Sequence, residues 1–227
     1  VNHVNYTHEI VELIKKAQKI ASEHGFFNLL QPGLVKELII ADILGHDVHK
    51  TKHEADAHNP NNFDIKYEYL SCFQVGTFQL DRMFKNPENK RKKSLERINR
   101  NEAIYCAIFD KKNPLTILEI YEVETEILLQ ETERQLNESA NDISHISFSI
   151  RWVKENGDKV FSDGKLLRDV NQRPITSIPT RSYRTRKNNP QLSLVFTPGP
   201  WEDSDDLNDY RGAVQGENSY RSAKEGR

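Results

Sequence analysis

Long apolar runs are missing from this 227-residue chain. Nothing in it approaches the roughly 20 consecutive apolar residues that a membrane-spanning helix needs, and its first residues lack the charged-then-apolar pattern of a signal peptide. The expectation is a cytoplasmic protein without membrane partners. Cysteine is equally scarce: Cys72 and Cys106 are the two in the chain, each inside an apolar, strand-like run. That placement fits reduced core thiols and argues against a disulfide framework. A large excess of either charge is also lacking, since 32 Lys and Arg stand against 34 Asp and Glu for a net charge of -2. A protein that coats nucleic acid indiscriminately carries a large positive excess and is thereby disfavoured, although a local basic patch is not. No internal repeat of the solenoid kind is present.

The apolar residues that do occur are concentrated before residue 165. This predicts a domain over 1–165 and a polar extension over 166–227, in which Pro174, Pro179, Pro190, Pro198 and Pro200 interrupt every candidate element. Within the domain, Ile10, Val11, Ile14, Ala17 and Ala21 recur at helical spacing between Thr7 and Gly25. A second helix follows Pro32-Gly33 and stops at Gly45. Residues 53–57 and 64–72 read as two strands joined by His58-Asn59-Pro60-Asn61-Asn62, a run of turn formers. A short helix is expected at 77–84, another at 94–101 capped by Ser94, and a fully buried strand at 103–109. A strand at 115–122, a helix at 125–139 and a strand near 144–150 complete the pattern. Helices alternating with buried strands imply a layered α/β domain.

Asp56 and Glu68 lie on the two halves of the expected hairpin, which brings their carboxylates together at a sheet edge. Two carboxylates with water and a phosphate oxygen are the surroundings that Mg2+ prefers. An ion held there can polarise a phosphodiester and activate water. Ala55-Asp56 followed by Tyr67-Glu68-Tyr69-Leu70 resembles the acidic residue and Glu-x-Lys strand of the PD-(D/E)xK nuclease superfamily, to which most type II restriction endonucleases belong. The resemblance extends loosely over residues 34–150, through Gln79-Leu80-Asp81-Arg82 and Arg97-Ile98-Asn99-Arg100-Asn101. It implies a three-layer α/β/α fold with a central mixed sheet, restriction endonuclease-like, and an endonuclease acting on double-stranded DNA. Asp56, Glu68 and Glu37, the last on the preceding helix, are the implied metal ligands. Such enzymes commonly act as homodimers on symmetric sites, although nothing in the sequence itself demonstrates a dimer.

Leu70 stands where the signature lysine belongs. Three readings follow: Lys66 reaches the site from two residues earlier on the same face, Gln79 orients the attacking water, or the scaffold binds DNA without cutting it. Residues 85–100 carry a local excess of five positive charges, through Lys85, Lys90, Arg91, Lys92, Lys93, Arg97 and Arg100 against Glu88 and Glu96. A charge run is ordinarily a solvated face; beside a metal site it fits phosphate contact. Arg168, Arg173, Arg181, Arg184, Arg186 and Lys187 form a second basic group, and Gln135, Asn137, Asn141 and His145 are candidates for base reading. His46, His49, His53 and His58 match no strong zinc spacing.

Overall fold

The computed structural model describes residues 6–50 and 55–172. These form five helices: α1 (Tyr6–Glu23), α2 (Leu34–Leu44), α3 (Glu88–Asn99), α4 (Thr125–Glu138) and α5 (Ile150–Asn156). The strands are β1 (Asp47–Val48), β2 (Ala57–Asn59), β3 (Asn62–Phe73), β4 (Thr77–Phe84), β5 (Ala103–Phe109), β6 (Ile117–Glu124), β7 (Ile143–Ser149), β8 (Asp158–Ser162) and β9 (Lys165–Leu166). Seven strands make one mixed sheet in the order β1-β2-β3-β5-β6-β8-β9, and β4 pairs with β7 in a separate ribbon. Only the β3–β5 pair is parallel among the neighbours in the large sheet. The chain is thus α/β with a mixed sheet. None of the described helices is long and apolar enough to cross a membrane.

Strand β5 is buried at every residue, as its unbroken apolar run predicts. It separates two cores. On one face Tyr67, Tyr69, Tyr105 and Phe109 pack with Ile40, Ala41 and Leu44 of α2. On the other, Leu70, Cys72, Ile104 and Cys106 meet the inner faces of α3, α4, α5 and the β4–β7 ribbon. The alternation expected along β3 is therefore realised, with tyrosines to one side and Leu70 and Cys72 to the other. Burial pushes the Cys72 thiol up to about 11 and raises Cys106 further, so both remain protonated core residues.

Several boundaries differ from expectation, for physical reasons. The segment expected as a short helix at 77–84 is strand β4. Its buried residues Phe78 and Leu80 alternate with exposed Gln79 and Asp81, a two-residue period that a local reading passes over. Pairing with β7 and a bulge between Leu80 and Met83 complete the element. Helix α3 begins at Glu88, so Ser94 lies in mid-helix; its Oγ accepts from the Phe84 amide at 3.1 Å and ties the helix to β4. The hairpin turn is shorter than expected, since β2 reaches Asn59 and β3 starts at Asn62. Elements α5, β8 and β9 are additions that the periodicity does not announce. Beyond residue 165, Val170 is buried in the α2-side core, and Asn171 Nδ2 donates to the Leu44 and Gly45 carbonyls at 2.8 and 3.3 Å. The five prolines of the expected extension lie outside the described residues, as do His53, Arg173, Arg181, Arg184, Arg186 and Lys187.

Candidate functional site

Asp56 precedes β2 by one residue and is bonded to its neighbours on both sides. Its carbonyl accepts from the His49 amide at 2.9 Å, and its Oδ2 accepts from the Tyr69 amide at 2.7 Å. The β2–β3 register sets Ala57 opposite Tyr67 and His58 opposite Lys66. One step further, Asp56 stands opposite Glu68. Directly opposed residues of an antiparallel pair project to the same side, so hairpin geometry converges the two carboxyl groups. Both line a cavity of about 290 Å³, together with Glu37, Arg97 and Arg100.

Each neighbour is delivered by its own local structure. Glu37 lies in the first turn of α2, where the helix dipole favours an acid. Its approach depends on Gly33 at φ 91°, because a β-carbon there would stand 2.7 Å from the Glu37 Oε1. Arg97 and Arg100 end α3. The buried Asn101 side chain donates to the carbonyls of Arg97 and Ile98 at 2.8 and 3.1 Å, and the Thr125 hydroxyl donates to the Asn101 carbonyl at 2.7 Å. These bonds tie the last turn of α3 to the start of α4. They set Arg100 Nη2 at 3.9 Å from Glu68 Oε2, while Arg97 Nη1 donates to the Asp81 carbonyl at 3.4 Å.

The electrostatics follow from the geometry. Burial raises both carboxyls above the ordinary range; for Glu68 the Asp56 charge adds to the rise, and the two arginines pull both groups back only in part. Buried Glu68 Oε2 has no hydrogen-bond partner among the described residues. An acid held this way favours a proton or a cation at its oxygen. Among the described residues, no group of three His, Cys, Asp or Glu side chains converges to hold an ion by protein ligands alone. Asp56 and Glu68 offer two carboxylates to a cation, with Glu37 lining the same cavity.

Of the residues singled out from sequence, Asp56, Glu68, Glu37, Arg97 and Arg100 meet at this cavity. Lys66 shares the face of Glu68 but does not line the cavity. Gln79 lies on β4, exposed and opposite Ser147, and does not reach it either. Leu70 is packed in the core beside Cys72. Lys90, Arg91, Lys92 and Lys93 stand on earlier turns of α3; Arg91 donates to Asn137 Oδ1 at 2.9 Å, and Lys90 lies over the Phe84 ring. Gln135 is bonded to Glu131 and Ser147, and His145 to Asp81. Among the histidines, His46 is stacked on Tyr67 and bonded to the Tyr69 hydroxyl, while His49 packs edge-on to His58.

What sequence reasoning missed is that Arg97 and Arg100 face the carboxylates. The available signal was their position at a helix end immediately before the strand that neighbours β3. Neither a protein-family model nor a curated protein matches the chain.

Proposed function

We propose that this chain is a Mg2+-dependent endonuclease that hydrolyses phosphodiester bonds of double-stranded DNA, a type II restriction-like enzyme on a three-layer α/β/α scaffold of the PD-(D/E)xK kind. The observation that carries the reading is the opposition of Asp56, just before β2, and Glu68 of β3 in one cavity, with a buried Glu68 oxygen that no donor among the described residues satisfies. Asp56 and Glu68 would hold the ion, with Glu37 beside them. Mg2+ supplies Lewis acidity toward a phosphoryl oxygen and lowers the pKa of a bound water.

The chain's own residues do the rest. The missing lysine is replaced in charge by Arg100, with Arg97 next to it: both present guanidinium groups where a phosphate would gain negative charge, inside a partly desolvated cleft. Lys90, Lys93, Arg97 and Arg100 are spaced by three, four and three residues, which aligns them along one face of α3, with Arg97 and Arg100 at the cavity. Such a stripe suits the backbone of a duplex.

A second reading, a DNA-binding protein that does not cut, is favoured by one observation: Leu70 is a core residue, and neither Lys66 nor Gln79 lines the cavity. Supercoiled plasmid incubated with Mg2+ or with chelator separates the two. Under the nuclease reading, cleavage requires Mg2+ and falls at least ~100-fold in Asp56→Ala and Glu68→Ala proteins that still bind DNA. Arg100→Ala loses cleavage, and Arg100→Lys retains part of it. Retarded DNA that stays intact with Mg2+ selects the second reading, and an absence of both binding and cleavage removes both.

A further inference from the structure

We infer that the β4–β7 ribbon reads the base sequence of the bound DNA, with Arg82 as the side chain that contacts a guanine edge. The inference rests on DNA being the ligand, which both readings above share, and it holds whether or not the chain cuts. The ribbon is a platform fixed on three sides. Its inner residues Phe78, Leu80, Met83, Ile146 and Phe148 are buried in the core. Along β4, the Phe84 amide donates to Ser94 Oγ at 3.1 Å and the Asp81 carbonyl accepts from Arg97 Nη1 at 3.4 Å, both partners being on α3. Along β7, Gln135 of α4 donates to the Ser147 carbonyl at 2.9 Å and accepts from the Ser147 amide at 3.2 Å. What is left to solvent is the outer face, where Gln79 stands opposite Ser147 and Asp81 meets His145. Hydrogen-bonding side chains on a two-stranded ribbon are what the major groove of a duplex admits.

An irregularity in the ribbon singles out Arg82. Leu80 pairs with Ile146 and Met83 with Ser144, so two residues of β4, Asp81 and Arg82, face the single residue His145. The bulge carries a strained backbone: Arg82 lies at φ 52°, and Asp163 at φ 53° is the other non-glycine residue with positive φ among the described residues. Asp163 is accounted for by its place before Gly164 in the two-residue turn between β8 and β9. Arg82 lies within a strand, and arginine has no local preference for this conformation. Strain of this kind persists where contacts on either side enforce it. Here they do, since the Asp81 carboxylate is bonded to His145 Nδ1 at 2.9 Å and its carbonyl to Arg97, which lines the carboxylate cavity. A bulge re-aims the side chain it carries. This one fixes an exposed arginine one residue from a group tied to the cavity. Phosphate contact needs no such fixing, because charges on flexible stems such as those of α3 suffice for it. Paired contact with O6 and N7 of guanine does need it, because the guanidinium fork must meet two acceptors in one plane.

Selection from a randomised duplex pool tests this, using the full chain with Ca2+ in place of Mg2+ so that binding is scored without cleavage. Wild type should enrich one sequence with a guanine at a fixed position. Arg82→Ala should keep its affinity for the unselected pool and lose at least ~10-fold of the discrimination at that base pair alone. Arg82→Gly, which relieves the backbone at φ 52°, should do the same with unaltered near-UV circular dichroism, and so separates reading from folding. Enrichment of the same sequence by Arg82→Ala overturns the proposal, as does a wild type that enriches none. A variant weaker on all sequences alike makes Arg82 a phosphate contact and also overturns it. Selection of a sequence without cleavage in Mg2+ removes the nuclease reading and leaves the role of Arg82 standing, whereas a chain that binds no DNA removes both.

Discussion

Glu68 presents 18% of its side chain to solvent, and Arg100 Nη2 stands 3.9 Å from its Oε2. Burial, followed by the Asp56 charge, raises its carboxyl from the ordinary 4.5 to about 8. A folded-state value above the unfolded one means that the folded chain binds more protons between the two. The associated stability is complete below about 4.5 and is lost as pH rises through about 8. Glu68→Gln keeps the shape and removes the charge. It should leave the melting temperature nearly unchanged at pH 4.5 and raise it at pH 8 in the absence of divalent metal. Even a tenfold difference in proton affinity between the folded and unfolded chain is worth about 1.4 kcal/mol, or roughly 3–6 °C for a chain of this size. Thermal melts of both proteins across that range decide the matter, and parallel curves would show that Glu68 is not held in a costly ionised state. At this scale Asp56 and Glu68 were legible in the sequence, because a hairpin fixes which residues oppose. Arg100 was not, because its approach to Glu68 depends on how α3 is pinned.

At the scale of the element, helix α3 sets the field around the site. Its basic residues at 90, 93, 97 and 100 run about 15 Å along one face, and the last two are committed to the carboxylate cavity. Lys93 is exposed. If the stripe follows a duplex backbone, Lys93→Glu should weaken binding of unrelated DNA sequences alike and should reduce the slope of log affinity against log salt by about 1. Filter binding over a salt series measures both, and an unchanged slope would mean that Lys93 makes no phosphate contact. Strand β5 was readable from its unbroken apolar run and helix α2 from its apolar content between Pro32-Gly33 and Gly45, while α4 was readable from periodicity, since the spacing of Leu128, Thr132 and Leu136 is dictated by the face it buries. Strand β4 escaped that reading. Its ladder partner β7 lies about sixty residues further on, and only that partner makes an extended conformation preferable to a helix for a segment of eight residues.

The whole domain is closed by residues that a linear reading assigns to an extension. Asn171 bridges the C-terminal turn of α2 and the β2–β3 hairpin: it donates to the carbonyls of Leu44 and Gly45, and its own carbonyl and Oδ1 accept from Asn59 Nδ2 at 3.3 Å. Gly45, at φ 68°, leaves room for this side chain, since a β-carbon there would sit 3.3 Å from Asn171 Nδ2. The bridge holds together α2, which carries Glu37, and the hairpin, which carries Asp56 and Glu68. Asn171→Ala should cost about 1–2 kcal/mol in urea unfolding, whereas Asn171→Asp should cost more, because it aims a carboxylate at two carbonyl oxygens. No loss in either variant would mean that the bridge is not held in solution. The order of residues along the chain was enough to set the class of the fold, the faces of its central strands and the pairing of two acids across a hairpin, because each depends on periods of two or 3.6 residues that belong to the local chain. Packing in three dimensions was needed to bring two arginines to the place of a missing lysine, to extend residues 77–84, and to seat Asn171 as the closure of the domain. Those outcomes depend on contacts between segments far apart in the chain, which a local period alone does not supply.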